Sequence, residues 1–186
     1  SKLLMKEFST YSLNTINKPI ILFSMQPLEI PEFIFNVIKN TQNKFQWIIR
    51  LHPGMDNEIN EYKNILNKKG INNFILQQST SIPLFIILQK INLNITLSST
   101  VCNEALAYKK PSIIISEYGK KCFQEGIDNN AFSYSDNFEN LINTIENYIN
   151  GNISPNVNYA ENYFCTELTT IINNTNFLKP IYKSDD

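Results

Sequence analysis

Histidine, arginine and glycine are scarce in this chain of 186 residues: His52 is its only imidazole, Arg50 its only guanidinium, and glycine occurs five times. Each shortage removes a class of chemistry. There is no G-x-G-x-x-G and no G-x-x-x-x-G-K-[ST], so neither a dinucleotide fingerprint nor a P-loop is present. With one histidine, any Ser-His-Asp or Cys-His arrangement is confined to position 52. Cys102, Cys122 and Cys165 are an odd, widely spaced set without C-x-x-C, which predicts neither a disulfide framework nor a metal site and fits a reducing cytoplasm. D-x-D carboxylate pairs are lacking too. No signal peptide is recognised and no apolar run reaches the ~18 residues of a membrane span, so a soluble cytoplasmic protein is expected. Apart from Arg50 the basic residues are lysines, dispersed rather than striped. With a net charge of -1 and a pI near 5.9 they leave no footprint for nucleic acid.

What the chain does have is short apolar runs alternating with amphipathic stretches. "PIILFS" (19–24) reads as a strand buried on both faces, and "IPEFIFNVIKNT" (30–41) as a helix with Pro31 in its first turn. The pattern repeats with strands at 45–51, 73–77, 93–98, 111–116 and 131–135. Helices are expected at 56–69 (closed by Gly70), 82–91, 100–110 and 137–150, with a short irregular segment after 116. About six strands alternating with helices predict an α/β domain, a parallel sheet covered on both faces. Residues 1–17 read as a linker, 18–150 as the domain, and 151–186 as a tail with a last helix near 158–173. The length suits one domain.

In such a sheet ligands bind at the carboxyl ends of the strands. The candidate residues therefore follow the strands: "SMQP", "HPG", "QSTS", "SST" and "EYG" in order. A phosphoacceptor receiver would carry acidic residues after the first strand, where this chain has Ser24 and Gln26. After the second, Arg50 and His52 share a face while the strand persists, and Pro53 and Gly54 turn the chain. His52 there can donate to a phosphate oxygen, or simply cap the following helix, and Arg50 can add positive potential or pair with a carboxylate. After the fourth, Ser98, Ser99 and Thr100 open a helix, as an anion site or as ordinary N-caps. Glu104 lies four residues after Thr100, one too far for a capping box, and can accept from a ribose diol or complement the helix dipole.

The order "RLHP", then "SSTVCNEALAYKKPSIII" some 45 residues on, resembles the C-terminal, donor-binding half of a GT-B glycosyltransferase. Bacterial surface-polysaccharide transferases with HP and SS or ST motifs, of the Kdo- and sialyltransferase kind, are the nearest in flavour, and CDP-polyol phosphotransferases share similar motifs. The resemblance covers roughly residues 18–150. It implies a Rossmann-like three-layer domain with a C-terminal helix that crosses to a partner domain. His52 would face the donor phosphate as leaving group, Ser24, Arg50, Pro53, Ser98, Ser99 and Thr100 would surround the phosphates, Gln78 and the segment to 83 would line the base, and Glu104 would hold the ribose. No cofactor or metal is implied beyond the nucleotide-sugar donor. The resemblance further implies a glycan or lipid-linked acceptor bound by a separate N-terminal domain, inactivity of this single domain in transfer, and peripheral association with the inner face of the plasma membrane. Nucleotide-sugar epimerases share the architecture, and a non-catalytic module binding a nucleotide or a partner is the reading from another class.

Overall fold

The computed structural model describes residues 18–78 and 81–159. Six strands, β1 (Ile20–Ser24), β2 (Gln46–Arg50), β3 (Phe74–Gln77), β4 (Leu93–Thr96), β5 (Ser112–Ile114) and β6 (Ser133–Tyr134), form one parallel sheet in the order β3-β2-β1-β4-β5-β6. The helices are α1 (Glu32–Thr41), α2 (Ile59–Lys68), α3 (Leu84–Lys90), α4 (Val101–Ala107), α5 (Glu117–Cys122), α6 (Gln124–Asp128) and α7 (Phe138–Ile149), with a 3-10 turn at Pro53–Glu58. The order reverses at β1, whose neighbours are β2 and β4. That is the switch point of a doubly wound sheet, where a crevice opens beyond the strand ends.

Alternation along each strand divides the core into two layers. Ile21, Phe23, Trp47, Ile49 and Ile95 face α1 and α7, meeting Ile34, Ile38, Leu141 and Ile145. Leu22 and Ile48 face the other way, onto Ile87 and Leu88 of α3 and Ala105 of α4. Each such buried side chain stabilises the fold by roughly 1.5–3 kcal/mol relative to exposure. Polar groups inside the core pair with one another: the Trp47 indole donates to Thr41 Oγ1 at 3.1 Å, and Asn94, fully buried, accepts from Ser24 Oγ and donates to Ser112 Oγ, whereas the buried Gln77 Oε1 at the end of β3 has no partner among the described residues.

The expected alternation of elements is present, with informative differences. Pro31 is the N-cap of α1 rather than part of its first turn. The helix expected from 56 begins as the 3-10 turn, and α2 ends in a Schellman motif: Gly70 at φ 77 donates to Asn67 O while Ile71 donates to Leu66 O. The helix expected to run to 110 stops at Ala107, because Lys109 adopts φ 57 and the amides of Lys109 and Lys110 turn back to Leu106 and Ala105. The segment after 116, read as irregular, forms α5 and α6, each too short to show an apolar period. Strands expected at 93–98, 111–116 and 131–135 are shorter. The expected linker 1–17 and nearly all of the helix expected at 158–173 lie outside the described residues. Among the described residues no helix is long and apolar enough to cross a membrane.

Candidate functional site

Two strand-end regions meet at the switch point, and their hydrogen bonding differs. On the β4–β5 side the amides of Ser98, Ser99 and Val101 are bonded within the fold. Gln26 Oε1, just past β1, accepts from Ser98 N at 2.6 Å and from Ser98 Oγ at 3.2 Å. Thr96 Oγ1 accepts from Ser99 N at 3.1 Å and donates to Ser24 O at 3.1 Å. Ser99 Oγ accepts from Val101 N at 3.3 Å, and so supplies the cap that Thr100, exposed and without a side-chain cap bond, does not. Behind this turn, Ser116 Oγ donates to Leu97 O at 2.7 Å and accepts from Gly119 N at 2.9 Å. Gly119 is required there, because a Cβ would stand 1.9 Å from Leu97 O.

The β1–β2 side stays open. A cleft of about 210 Å³ is walled by apolar side chains including Leu84 and Val101 and reached by Ser24, Arg50, His52 and Ser99, with Pro53 at its rim. Arg50 is half-buried and donates from Nη1 to Ile82 O at 2.6 Å, which aims the guanidinium across the start of α3. Burial pushes its pKa down, against the opposing pull of the Asp56 and Glu104 carboxylates. His52 is extended at φ -68, ψ 149 and caps the 3-10 turn, its Nδ1 accepting from Gly54 N at 3.1 Å. An accepting Nδ1 assigns the neutral ring's proton to Nε2. One edge of the imidazole is thus structural, and the other carries an N–H on a residue that lines the cleft. Capping and ligand contact, alternatives in the sequence, use different nitrogens.

Of the residues selected from the sequence, Ser24, Arg50, His52, Pro53 and Ser99 are gathered in one cleft. Ser24 takes part as a wall, because its hydroxyl already donates to Asn94 Oδ1. Ser98 is held by Gln26. Gln78 donates from Nε2 to Asp56 O at 3.0 Å and so braces the 3-10 turn, while positions 79 and 80 of its segment lie outside the described residues. Glu104 is exposed on α4, within electrostatic reach of Arg50. Gln26 and Thr96, which hold the two strand ends together, were not selected. Their one sequence signal is position, a polar residue two places after β1 and another at the end of β4. Among the described residues no group of three or more His, Cys, Asp or Glu is placed to hold a metal ion.

No family model and no curated protein matches this sequence. Solved structures do match in fold. UDP-GlcNAc 2-epimerase from Neisseria meningitidis, bound to UDP-GlcNAc, is 14% identical over 91% of this chain and 49% of its own, with a TM-score of 0.62. A wall teichoic acid polymerase is 16% identical over 89% of this chain and 41% of its own, at 0.60. The C-terminal CMP-Kdo binding domain of WaaA from Acinetobacter baumannii is 15% identical over 80% of this chain and 88% of its own, at 0.57. This chain thus spans about half of the epimerase and nearly all of the Kdo-binding domain. At such identities the matches show the fold: a Rossmann-like α/β domain with a six-stranded parallel sheet, of the kind that makes one half of a GT-B molecule.

Proposed function

We propose that this chain is the nucleotide-sugar-binding half of a glycosyltransferase that builds a bacterial surface polysaccharide. The observation that carries the reading is the open cleft at the switch point, lined by both Arg50 and His52. In a GT-B-type fold this is where a donor phosphate is held, and the matched structures include proteins solved with UDP-GlcNAc. As the glycosidic bond breaks, negative charge grows on the departing phosphate oxygens. A fixed guanidinium and an imidazole N–H beside them stabilise that charge without reorganising, an effect commonly worth several kcal/mol. Ser99 and the rim proline shape the phosphate pocket. Glu104 takes the ribose hydroxyls, and the segment after Gln78 takes the base. The chemistry is assigned to these side chains and to no resident metal, and the acceptor to a second domain facing the cleft.

The test is calorimetric titration of the purified chain with nucleotides and their nucleosides. The account expects nucleotides to bind at least about tenfold tighter than the matching nucleosides, the increment of one charge-assisted hydrogen bond, and expects no sugar transfer by this chain alone. Equal affinity for nucleotide and nucleoside would remove the phosphate site. Detectable transfer would contradict the division of labour between two domains. The matches to epimerases support a second reading, nucleotide-sugar epimerisation by a longer protein. It differs in expecting turnover of a nucleotide sugar with no acceptor present.

A further inference from the structure

We propose that the groove between α2 and the edge strand β3 is a second binding site, separate from the cleft, and that it takes an acidic oligosaccharide. The inference does not depend on the donor-binding reading, for the groove and the cleft share no lining residue.

The groove encloses about 350 Å³, within the ~300–1,000 Å³ of ligand pockets. Ile59 at the start of α2, with Phe74 and Leu76 of β3, supplies its apolar lining, and all three are half-buried against the core. Asn60, Lys63 and Asn67 are exposed and recur along one face of α2 at helical spacing, while exposed Asn72 stands just before β3. From Asn60 to Asn67 the helix rises ~10 Å, long enough to run beside more than one sugar ring.

The residue types favour a glycan over the other ligands that an edge groove can take. A carboxamide offers both an acceptor oxygen and donor hydrogens, and adjacent sugar hydroxyls present the complementary pair. A pyranose also has an apolar C–H face that packs on side chains such as Phe74 and Leu76. The carboxamides of Asn60, Asn67 and Asn72 form no hydrogen bond among the described residues, whereas that of the neighbouring Asn73 donates to Gln42 O at 2.7 Å. Gln42 Oε1 accepts from the backbone amides of Asn72 and Asn73 at 2.8 and 3.0 Å, so the segment carrying Asn72 is held in place before a ligand arrives. A partner strand added to β3 would bond to its backbone and leave the three carboxamides idle.

Charge selects the class of glycan. Among the described residues Lys63 is the one charged residue lining the groove, and no carboxylate lines it. Lys44, Lys69 and Lys120 are ion-paired to Glu146, Glu32 and Glu117, but Lys63 has no ion pair among the described residues. An ammonium set among carboxamides takes a carboxylate or phosphate group as a point charge.

The experiment screens the full 186-residue chain against an array of carboxylate-bearing, phosphate-bearing and neutral oligosaccharides, then follows the best binder and its neutral counterpart by calorimetry and NMR. The acidic glycan should bind at least about tenfold tighter than the neutral one, the increment of one charge-assisted hydrogen bond. Either acidic arm leading supports the inference and identifies the anionic group. Shifts should centre on the side-chain amides of Asn60, Asn67 and Asn72 and on Phe74. Lys63→Gln should bring the ratio of acidic to neutral affinity close to one with an unchanged melting temperature, and Asn60→Ala combined with Asn67→Ala should weaken both glycans. Retention of no glycan, a neutral glycan bound as tightly as the acidic one, a ratio unaltered in Lys63→Gln, or shifts centred on Arg50 and His52 would each overturn the inference. Self-association abolished by Leu76→Lys, with no glycan bound, would make the groove a strand-pairing interface and overturn it too. None of these outcomes bears on nucleotide binding at the cleft.

Discussion

The two sides of the switch point both carry polar residues beyond a strand end and reach different states. Beyond β4, the hydroxyls of Thr96, Ser98, Ser99 and Ser116 and the carboxamide of Gln26 bond to one another and to the neighbouring backbone, so the turn is a closed knot. Beyond β2, Arg50 donates to Ile82 O, His52 Nδ1 accepts from Gly54 N, and both residues line an open cleft. Polar residues after a strand therefore do not by themselves make a binding site. The difference lies in whether their donors are satisfied within the fold, and that follows from which strands are neighbours.

The comparison breaks most easily on the closed side. Gly119→Ala drives a Cβ into Leu97 O, a backbone atom of β4's turn that cannot rotate away. It should destabilise the chain by about 3 kcal/mol, read as a fall in the urea midpoint. On the open side, His52→Asn keeps an oxygen at the Nδ1 position to cap Gly54 and removes Nε2–H. It should weaken nucleotide binding about tenfold or more by calorimetry, with a melting temperature close to that of the parent. His52→Gln should do the reverse, lowering stability by about 1 kcal/mol and keeping most of the affinity. Equal behaviour of the two variants would mean that the nitrogens do not divide the roles.

Smaller effects sharpen the contrast. Gln26→Met removes the acceptor for Ser98 N and should cost about 1 kcal/mol of stability in urea titrations, with nucleoside affinity nearly unchanged. Cys102, fully buried on α4, has its thiol pushed up to about 12 from an ordinary value of 9.0, chiefly by burial. Its neutral form is favoured in the folded state, so this contribution is complete below about pH 9 and is lost as pH rises towards 12. Between pH 8 and 10 the parent should lose about 1 kcal/mol more stability than Cys102→Ala. Parallel pH profiles for the two proteins would show that the thiol ionises as readily folded as unfolded.

Much of this architecture was legible in the sequence, because continuous apolar runs and amphipathic periods directly encode buried strands and covering helices. Helix ends were legible only where glycine marked them: Gly70 announced the end of α2, whereas Lys109 entered the left-handed region with no such signal. The site was half legible. Arg50, His52 and Ser99 stood out as residue types at strand ends, yet the capture of Ser98 by Gln26 spans 72 residues and depends on β1 lying beside β4. His52 shows the limit most clearly. Cap and ligand were competing readings of one residue in the sequence, and the ring's two nitrogens let the structure accommodate both.

The central claim is that the open cleft, and not the knot beside it, takes the nucleotide. Amide and side-chain NMR shifts followed during a titration with the best-binding nucleotide test it directly. The account predicts the largest changes at the cleft residues Met25, Arg50, His52 and Ser99, with Leu97, Gly119 and a separate groove lined by Lys63 of α2 and Phe74 of β3 nearly still. Changes centred on Phe74 and Lys63, or an Arg50–His52 cluster that does not respond while the nucleotide binds, would contradict it.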